Sequence, residues 1–124
     1  MLGLIYISCK NIGNRKATGS YFTPTSIVKK LISRLNFQSA DTILDPCCGT
    51  GNFLLQLPEL CSFENIYGND IDLISVKIAR INMALKFPDA APDIICQHIT
   101  NMDYLTVFPN DKFNFVIGNP PWGF

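Results

Sequence analysis

The chain has 124 residues, enough for one domain, and its 10 basic and 10 acidic side chains give a formal net charge of zero. This balance excludes a polycationic nucleic-acid coat, while 48% hydrophobic and 16% charged residues exclude both a disordered segment and a membrane protein. We expect a globular cytoplasmic protein, because the apolar stretch 1–9 is too short to span a bilayer and lacks the features of a signal peptide.

The five cysteines are odd in number, and no two of them have the C-x-x-C spacing of a zinc or redox site. Reduced thiols fit a cytoplasmic protein. A disulfide between the adjacent Cys47 and Cys48 would strain the intervening backbone, so we interpret both as small buried packing residues. The sequence predicts no metal site.

The first half of the chain predicts helix, strand and helix in that order. Thr23 is suited to cap a helix over 24–35 in which Pro24 takes the first helical position. The run Thr42–Leu44 predicts a short buried strand that ends before Asp45-Pro46. A glycine-containing loop then leads into a helix over 52–57, which Pro58 ends.

The second half predicts a strand at 66–69 and then a helix capped by Asp72. The core-facing side of that helix is predicted from four aliphatic residues that share one face: Ile74, Ile78, Ile81 and Leu85. Two further strands are predicted at Ile94–Cys96 and Phe113–Ile117.

Strands that alternate with helices predict an α/β fold with a doubly wound parallel sheet, here with about four strands. Such sheets bind ligands beyond the carboxyl ends of their strands. Four polar segments fall there, namely Asp45–Gly51, Asp70, Asp103 and Asn119–Trp122.

The turn Gly49-Thr50-Gly51 lets a ligand approach the backbone closely, because no side chain blocks it. Taken alone, the two glycines are equally explained by a tight turn. The dinucleotide-binding pattern would need a third glycine where Leu54 stands, and the chain lacks a lysine-containing phosphate loop, so phosphate binding is not favoured.

Two aspartates follow the second and third predicted strands. Asp70 lies 19 positions after Gly51, close to the spacing at which a carboxylate accepts from both hydroxyls of a ribose. The alternative is a strand-end aspartate bonded to loop amides, and Asp72 is more simply a helix cap. Asp103 is suited to accept from an adenine amino group, or is a solvated loop residue.

The segment Asn119-Pro120-Pro121-Trp122 is stiff and lacks two backbone donors. It presents the Asn119 side-chain oxygen and the Pro120 carbonyl as acceptors. Two acceptors on the hydrogens of a conjugated exocyclic amine draw its lone pair back to nitrogen, which favours attack on a methyl group, while Trp122 can stack on the base. The alternative is a proline-rich turn with a core tryptophan.

Together, Gly19–Pro24, Asp45–Gly51, Gly68–Asp72, Asp103 and Asn119–Trp122 resemble the adenine-specific DNA amino-methyltransferases of restriction-modification systems. The resemblance implies a class I, Rossmann-like methyltransferase fold that uses S-adenosylmethionine. It covers residues 19–124, which we interpret as a partial methyltransferase domain preceded by an amino-terminal extension at 1–18.

The resemblance also implies a role for each matching residue. The methionine carboxylate of the cofactor would lie near Tyr21–Thr23, its ammonium near Asp45 and the glycine turn, its ribose at Asp70 and its adenine at Asp103. The implied cofactor-binding residues are Tyr21, Phe22, Thr23, Asp45, Pro46, Gly49, Gly51, Asp70 and Asp103. The implied catalytic residues, which would hold an adenine flipped out of the duplex, are Asn119, Pro120, Pro121 and Trp122. His98 receives no role.

A full domain of this family has a seven-stranded sheet, so we interpret the chain as an amino-terminal portion. Double-stranded DNA would be read by a target recognition region that the chain lacks, consistent with its neutral charge. The unpaired edge of the fourth strand predicts self-association or completion by a second subunit. The alternatives are a noncatalytic cofactor-binding fragment, or a methyltransferase of protein glutamine or ribosomal RNA guanine.

Overall fold

The computed structural model of the chain describes residues 24–103 and 113–118, together with the backbone of 14–15 and 21–22. Two short strands come first, β1 (Asn14–Arg15) and β2 (Tyr21–Phe22), which pair antiparallel. The remaining elements are α1 (Thr25–Ser33), β3 (Ile43–Asp45), α2 (Asn52–Leu55), β4 (Ile66–Asn69), α3 (Leu73–Lys86), α4 (Pro92–His98), β5 (Ile99–Thr100) and β6 (Phe115–Val116). No helix among the described residues has the length and apolar character needed to cross a membrane.

The main sheet has four parallel strands in the order β5-β4-β3-β6. The chain runs outward from β3 to β4 and β5 and then returns to the other side of β3 with β6. This arrangement confirms the predicted parallel α/β fold, and it makes the gap between the ends of β3 and β6 a topological switch point, where such sheets bind ligands.

The core lies on both faces of β3, because successive side chains of a strand point in opposite directions. Ile43 packs into the larger cluster, which includes buried side chains of α1, α2 and α3, whereas Leu44 packs with Phe113 and Val116 on the other face. Gly68 of β4 permits a close approach, since a Cβ at this position would lie 2.9 Å from Leu54 Cδ1 of α2. Strand and helix are therefore in direct contact behind the glycine turn.

The start of α1 differs by one position from the prediction. Pro24 stands at the N-cap, with φ −55° and ψ 140°, and Thr25 is the first helical residue. The Pro24 carbonyl accepts from the amides of Ile27 and Val28, so the backbone itself begins the helix. Thr23, the predicted cap, lies outside the described residues.

The strand predicted at Ile94–Cys96 is wrong, because these residues belong to α4. Pro92 occupies the first turn of this helix, and the third strand of the sheet is β5, five residues later than predicted. Only Ile95 of the apolar run is buried. A run of three apolar residues is too short to show whether its period is that of a helix or of a strand.

Helix α3 begins as predicted, since Asp72 Oδ2 accepts from the Ser75 amide at 3.3 Å. Its core-facing side was predicted wrongly. The four predicted residues are all exposed: Ile74 (68%), Ile78 (42%), Ile81 (60%) and Leu85 (76%). The helix instead buries Val76, Ala79 and Met83. The small side chain of Ala79 lets the helix lie close to the glycine turn, as a Cβ at Gly51 would lie 3.6 Å from Ala79 Cβ.

Replacing Met83 by alanine should therefore lower the free energy of unfolding by about 2–5 kcal/mol, the usual cost of truncating a buried methionine. Replacing Leu85 by alanine, two positions along the same helix, should change it by less than about 0.5 kcal/mol. Urea unfolding of the two variants measures both values. Equal losses would show that the outer face is covered in solution.

Candidate functional site

The carboxyl ends of the parallel strands place several polar residues at one edge of the sheet. Asp45 is the last residue of β3, Asn69 the last of β4 and Thr100 the last of β5. Asp45 was predicted to follow the first strand of the sheet, but it belongs to that strand and pairs in register with Gly68. This position fixes its backbone and carries its side chain into the switch point.

The Asp45 carboxyl group is buried, with 1% of the residue exposed. Its Oδ1 accepts from the Cys47 amide at 3.2 Å, whereas Oδ2 has no hydrogen-bond partner among the described residues. Burial raises the pKa of Asp45 to about 8, and the nearby Asp70 carboxylate adds to the rise, although the bond from Cys47 opposes it. At neutral pH the group is therefore mainly protonated.

Gly118 closes the other side of Asp45. Its φ is +136°, a conformation that favours glycine, and a Cβ built there would clash with Asp45 Oδ1. The amide of the preceding residue, Ile117, donates to the Leu44 carbonyl at 2.9 Å and holds this segment beside β3. The residue just before Asn119 therefore contacts the buried carboxyl group.

The turn after β3 has the backbone that its glycines predict. Gly49 and Gly51 adopt φ of +55° and +93°, and Gly51 stands at the N-cap of α2. A Cβ at Gly49 would have nothing within 4 Å, so space is not the reason for this glycine. Positive φ is the requirement, and the space beside Gly49 leaves its backbone open to a ligand.

Asp70, the residue that follows β4, fixes the glycine turn through hydrogen bonds of its carboxylate. Its Oδ2 accepts from the Gly49 amide at 2.8 Å and its Oδ1 from the Asp72 amide at 2.8 Å. The alternative considered from the sequence, a strand-end aspartate bonded to loop amides, is thus part of the structure. Each carboxylate oxygen can accept a further bond, so these contacts leave acceptor capacity for a ligand hydroxyl.

Asn69 was given no role from the sequence, yet it joins the loops after β3 and β5. Its Nδ2 donates to the Met102 carbonyl at 2.6 Å and, more weakly, to the Pro46 carbonyl at 3.4 Å. Its Oδ1 accepts from the Met102 amide at 2.9 Å and from Thr100 Oγ1 at 2.8 Å. The segment that leads to the exposed Asp103 is therefore fixed by one buried side chain.

The cysteines of the turn are unsuited to nucleophilic chemistry. Burial, with the charges of Asp45 and Asp70, raises the pKa of Cys47 to about 12 and that of Cys48 well above its ordinary value. Both remain thiols at neutral pH. Among the described residues, no group of three or more His, Cys, Asp or Glu side chains is arranged to hold a metal ion.

His98 lies at the opposite end of the sheet, between α4 and β5. Its Nδ1 is 3.0 Å from the Ile66 carbonyl and 3.2 Å from that of Phe63, so this nitrogen is assigned the proton. The ring stacks on Tyr67 at 4.3 Å. His98 thus joins a helix end to the start of β4, far from the Asp45 edge.

The structure brings together five of the predicted cofactor residues: Asp45, Pro46, Gly49, Gly51 and Asp70. Asp103 follows Met102 at the same edge. Tyr21 and Phe22 are described only as the backbone of β2. Thr23 and the predicted catalytic residues Asn119, Pro120, Pro121 and Trp122 lie outside the described residues, so their roles remain predictions.

Nearly the whole chain, residues 7–124, matches the family model described as N-6 DNA Methylase. Among known relatives, a type II methyltransferase, M.VspI, from Vibrio sp. (strain 343) is 30% identical over 122 residues, which cover 96% of this chain and 29% of that protein. The type II methyltransferase M.CvrRI from Paramecium bursaria Chlorella virus XZ-6E is 32% identical over 87% of this chain and 25% of its own length.

The MjaIX type I restriction enzyme methylase subunit from Methanocaldococcus jannaschii is 28% identical over 86% of this chain and 19% of that subunit. A crystal structure of a modification subunit of a putative type I restriction enzyme from Vibrio vulnificus YJ016 is similar with a TM-score of 0.48 and 24% identity, over 56% of this chain and 17% of that one. The chain thus spans less than a third of the length of these relatives.

The raised pKa of Asp45 predicts a pH-dependent stability. The folded protein binds the proton more tightly than the unfolded chain, whose pKa is near the ordinary 3.8, so this contribution is complete below that value and is lost as pH rises through about 8. The free energy of unfolding should fall by about 1.4 kcal/mol per pH unit between about pH 5 and 7, relative to Asp45→Asn.

Urea unfolding at several pH values measures this difference. Asp45→Ala, which also removes the carboxyl group, should give the same slope against wild type with a different offset. A difference between wild type and Asp45→Asn that stays constant over this range would show that Asp45 is already ionised in the folded protein.

Proposed function

Because the chain belongs to the N-6 DNA methylase family, we propose that it binds S-adenosylmethionine and forms part of an enzyme that methylates the exocyclic amine of adenine in DNA. The names of its relatives support this proposal, since M.VspI and M.CvrRI are methyltransferases and the MjaIX protein is a methylase subunit. The family description, N-6 DNA Methylase, favours DNA over protein glutamine and ribosomal RNA guanine as the substrate.

The observation that carries the proposal is the buried Asp45 oxygen that has no partner among the described residues. A buried carboxyl group without a partner is costly in either protonation state, and an ammonium group supplies both a donor and a charge that stabilises the ionised form. The open space beside Gly49 provides room at the adjoining backbone. These residues therefore fit the amino acid end of S-adenosylmethionine, with Asp45 against its ammonium.

The remaining cofactor contacts follow the order of the strands. We assign the ribose to Asp70, whose carboxylate keeps acceptor capacity beyond its two loop amides. We assign the adenine to Asp103 and the methionine carboxylate to Tyr21, Phe22 and Thr23. A ligand held in this way would lie across the carboxyl ends of β3, β4 and β5, as in other open α/β sheets.

The target base is assigned to the other side of the switch point. S-adenosylmethionine supplies an electrophilic methyl group on its sulfonium. Asn119 and Pro120 would accept the two hydrogens of the adenine amine and localise its lone pair on nitrogen, Pro121 would keep the segment rigid, and Trp122 would stack on the base. Ile117 and Gly118, which lead into this segment, lie against β3 and Asp45.

Sequence recognition and the rest of the base pocket are assigned to parts beyond this chain. The chain spans less than a third of its relatives, and it carries no excess of basic residues for phosphate contacts. We propose that double-stranded DNA is bound together with a further region, a second subunit or a second copy. Methyl transfer by this chain alone to an adenine oligonucleotide would contradict that part of the proposal.

Calorimetry with S-adenosylhomocysteine tests the Asp45 assignment. Because Asp45 must ionise to pair with the ammonium, binding to the wild type at pH 6.5 should release close to one proton, seen as heats that differ between buffers of different ionisation enthalpy. Between pH 6.5 and 7.5 the affinity should rise by up to about tenfold. Asp45→Asn should bind more weakly at pH 7.5 and lose both effects.

The matched control is Asp41→Asn, the same substitution beyond the opposite end of β3, where Asp41 accepts from the Gln38 amide. This variant should keep wild-type affinity and proton release. Absence of binding by the wild type would refute the cofactor proposal, whereas binding without proton release would refute only the role of Asp45.

Replacing Asn119 by alanine should reduce methyl transfer far more than cofactor affinity, because its acceptor is used on the amine in the transition state. The measurement needs a polypeptide or complex that unites this chain with the remaining part of an active enzyme. Tritiated cofactor offered to DNA, to ribosomal RNA and to a glutamine-containing protein identifies the substrate. Equal losses in turnover and affinity would remove Asn119 from the catalytic role.

A further inference from the structure

Asn69 has its full hydrogen-bonding capacity in use while it is 99% buried, since its exposed fraction is 1%. Its amide donates to two carbonyls and accepts from one amide and one hydroxyl, which is the most that an asparagine side chain can do. A buried polar group this well satisfied holds its surroundings in one arrangement.

The Asn69 side chain extends the pairing between β4 and β5 beyond their last backbone hydrogen bond. The ladder between β4 and β5 ends where the Asp70 amide donates to the Thr100 carbonyl at 3.0 Å. Past that point Asn69 bonds both the amide and the carbonyl of Met102, as a neighbouring strand would. An ionised aspartate could accept from the Met102 amide but could not donate to its carbonyl, and a leucine could do neither.

The same residue reaches the turn after β3. Its backbone carbonyl accepts from the Cys48 amide at 2.8 Å, and its Nδ2 donates weakly to the Pro46 carbonyl. In return, Asn101 Nδ2 donates to the carbonyls of Asp70 and Ile71, both at 2.9 Å. The loops after β3, β4 and β5 are thus held as one unit, with Asn69 at its centre.

We infer that Asn69 is a positioning residue for the adenine half of the cofactor site. It does not itself contact the ligand. It fixes Met102, and through it Asp103, at the distance from the glycine turn that the nucleoside must span. The inference rests on the proposed function, because it assigns Asn69 a role only if Asp103 meets the adenine amino group.

The test compares two ligands, S-adenosylhomocysteine and its analogue whose purine lacks the 6-amino group, by calorimetry on the full chain. Wild type should bind the amino form about tenfold more tightly, the usual value of one hydrogen bond to a carboxylate. In Asn69→Ala and Asn69→Asp this ratio should fall to about one. Proton release, which reports the ionisation of Asp45 at the amino acid half of the site, should stay at the wild-type value.

Asn114→Ala is the matched control. Asn114 is a partly buried asparagine whose Oδ1 accepts from the Thr42 amide at the opposite end of the sheet. This variant should have a lower melting temperature than the wild type and should still bind the amino form about tenfold more tightly than the analogue. A general loss of stability would lower affinity for both ligands together, so the ratio separates positioning from folding.

If the Asn69 variants do not fold, Thr100→Val removes one of the bonds that orient the Asn69 amide and should lower the ratio by at least about threefold. A wild-type ratio near ten that persists in a folded Asn69 variant, or in Thr100→Val, overturns the inference alone. A wild-type ratio near one overturns both the inference and the proposed adenine contact at Asp103.

Discussion

The burial of one carboxyl group at the end of the central strand is the constraint around which this edge of the fold is arranged. Asp45 extends β3 by one residue, so its side chain enters the switch point, where Gly118 closes over it. The turn after β3 needs positive φ at two glycines to pass around the group, and Asp70 holds that turn. In the proposed function, this buried carboxyl group ionises when it pairs with the ammonium group of the cofactor.

A second constraint acts between strands. The strands of the sheet differ in length, and the short β5 supplies only two residues to the pairing with β4. Asn69 extends the pairing with its side chain, so the loops after three strands keep a common geometry. In the proposed function, Asp45 pairs with the ammonium group of the cofactor, and Asn69 sets the separation between the two halves of the site.

Much of this arrangement follows from sequence patterns with a local physical cause. The Asp72 cap, the β4 strand and the glycine turn were predicted because capping, strand length and positive φ depend on a few neighbouring residues. The Ile94–Cys96 run was too short to distinguish a helix from a strand. The buried side of α3 was missed because Val76, Ala79 and Met83 have the same helical spacing as the exposed aliphatic residues, so periodicity alone does not decide which of the two faces is buried. Asn69 was missed because a single asparagine has no spacing signature.

The protonation of Asp45 also changes the net charge of the folded protein from the formal value of zero. The charges of the ten basic and ten acidic residues sum to zero when every carboxyl group is ionised, but a carboxyl group with a pKa of about 8 carries little charge in the folded protein at neutral pH. This residue therefore shifts the isoelectric point of the folded chain above the sequence value of about 6.5. When S-adenosylhomocysteine, which has no net charge, binds in the proposed way, the loss of this proton would return the complex to neutrality, so loading would appear as a shift in isoelectric focusing.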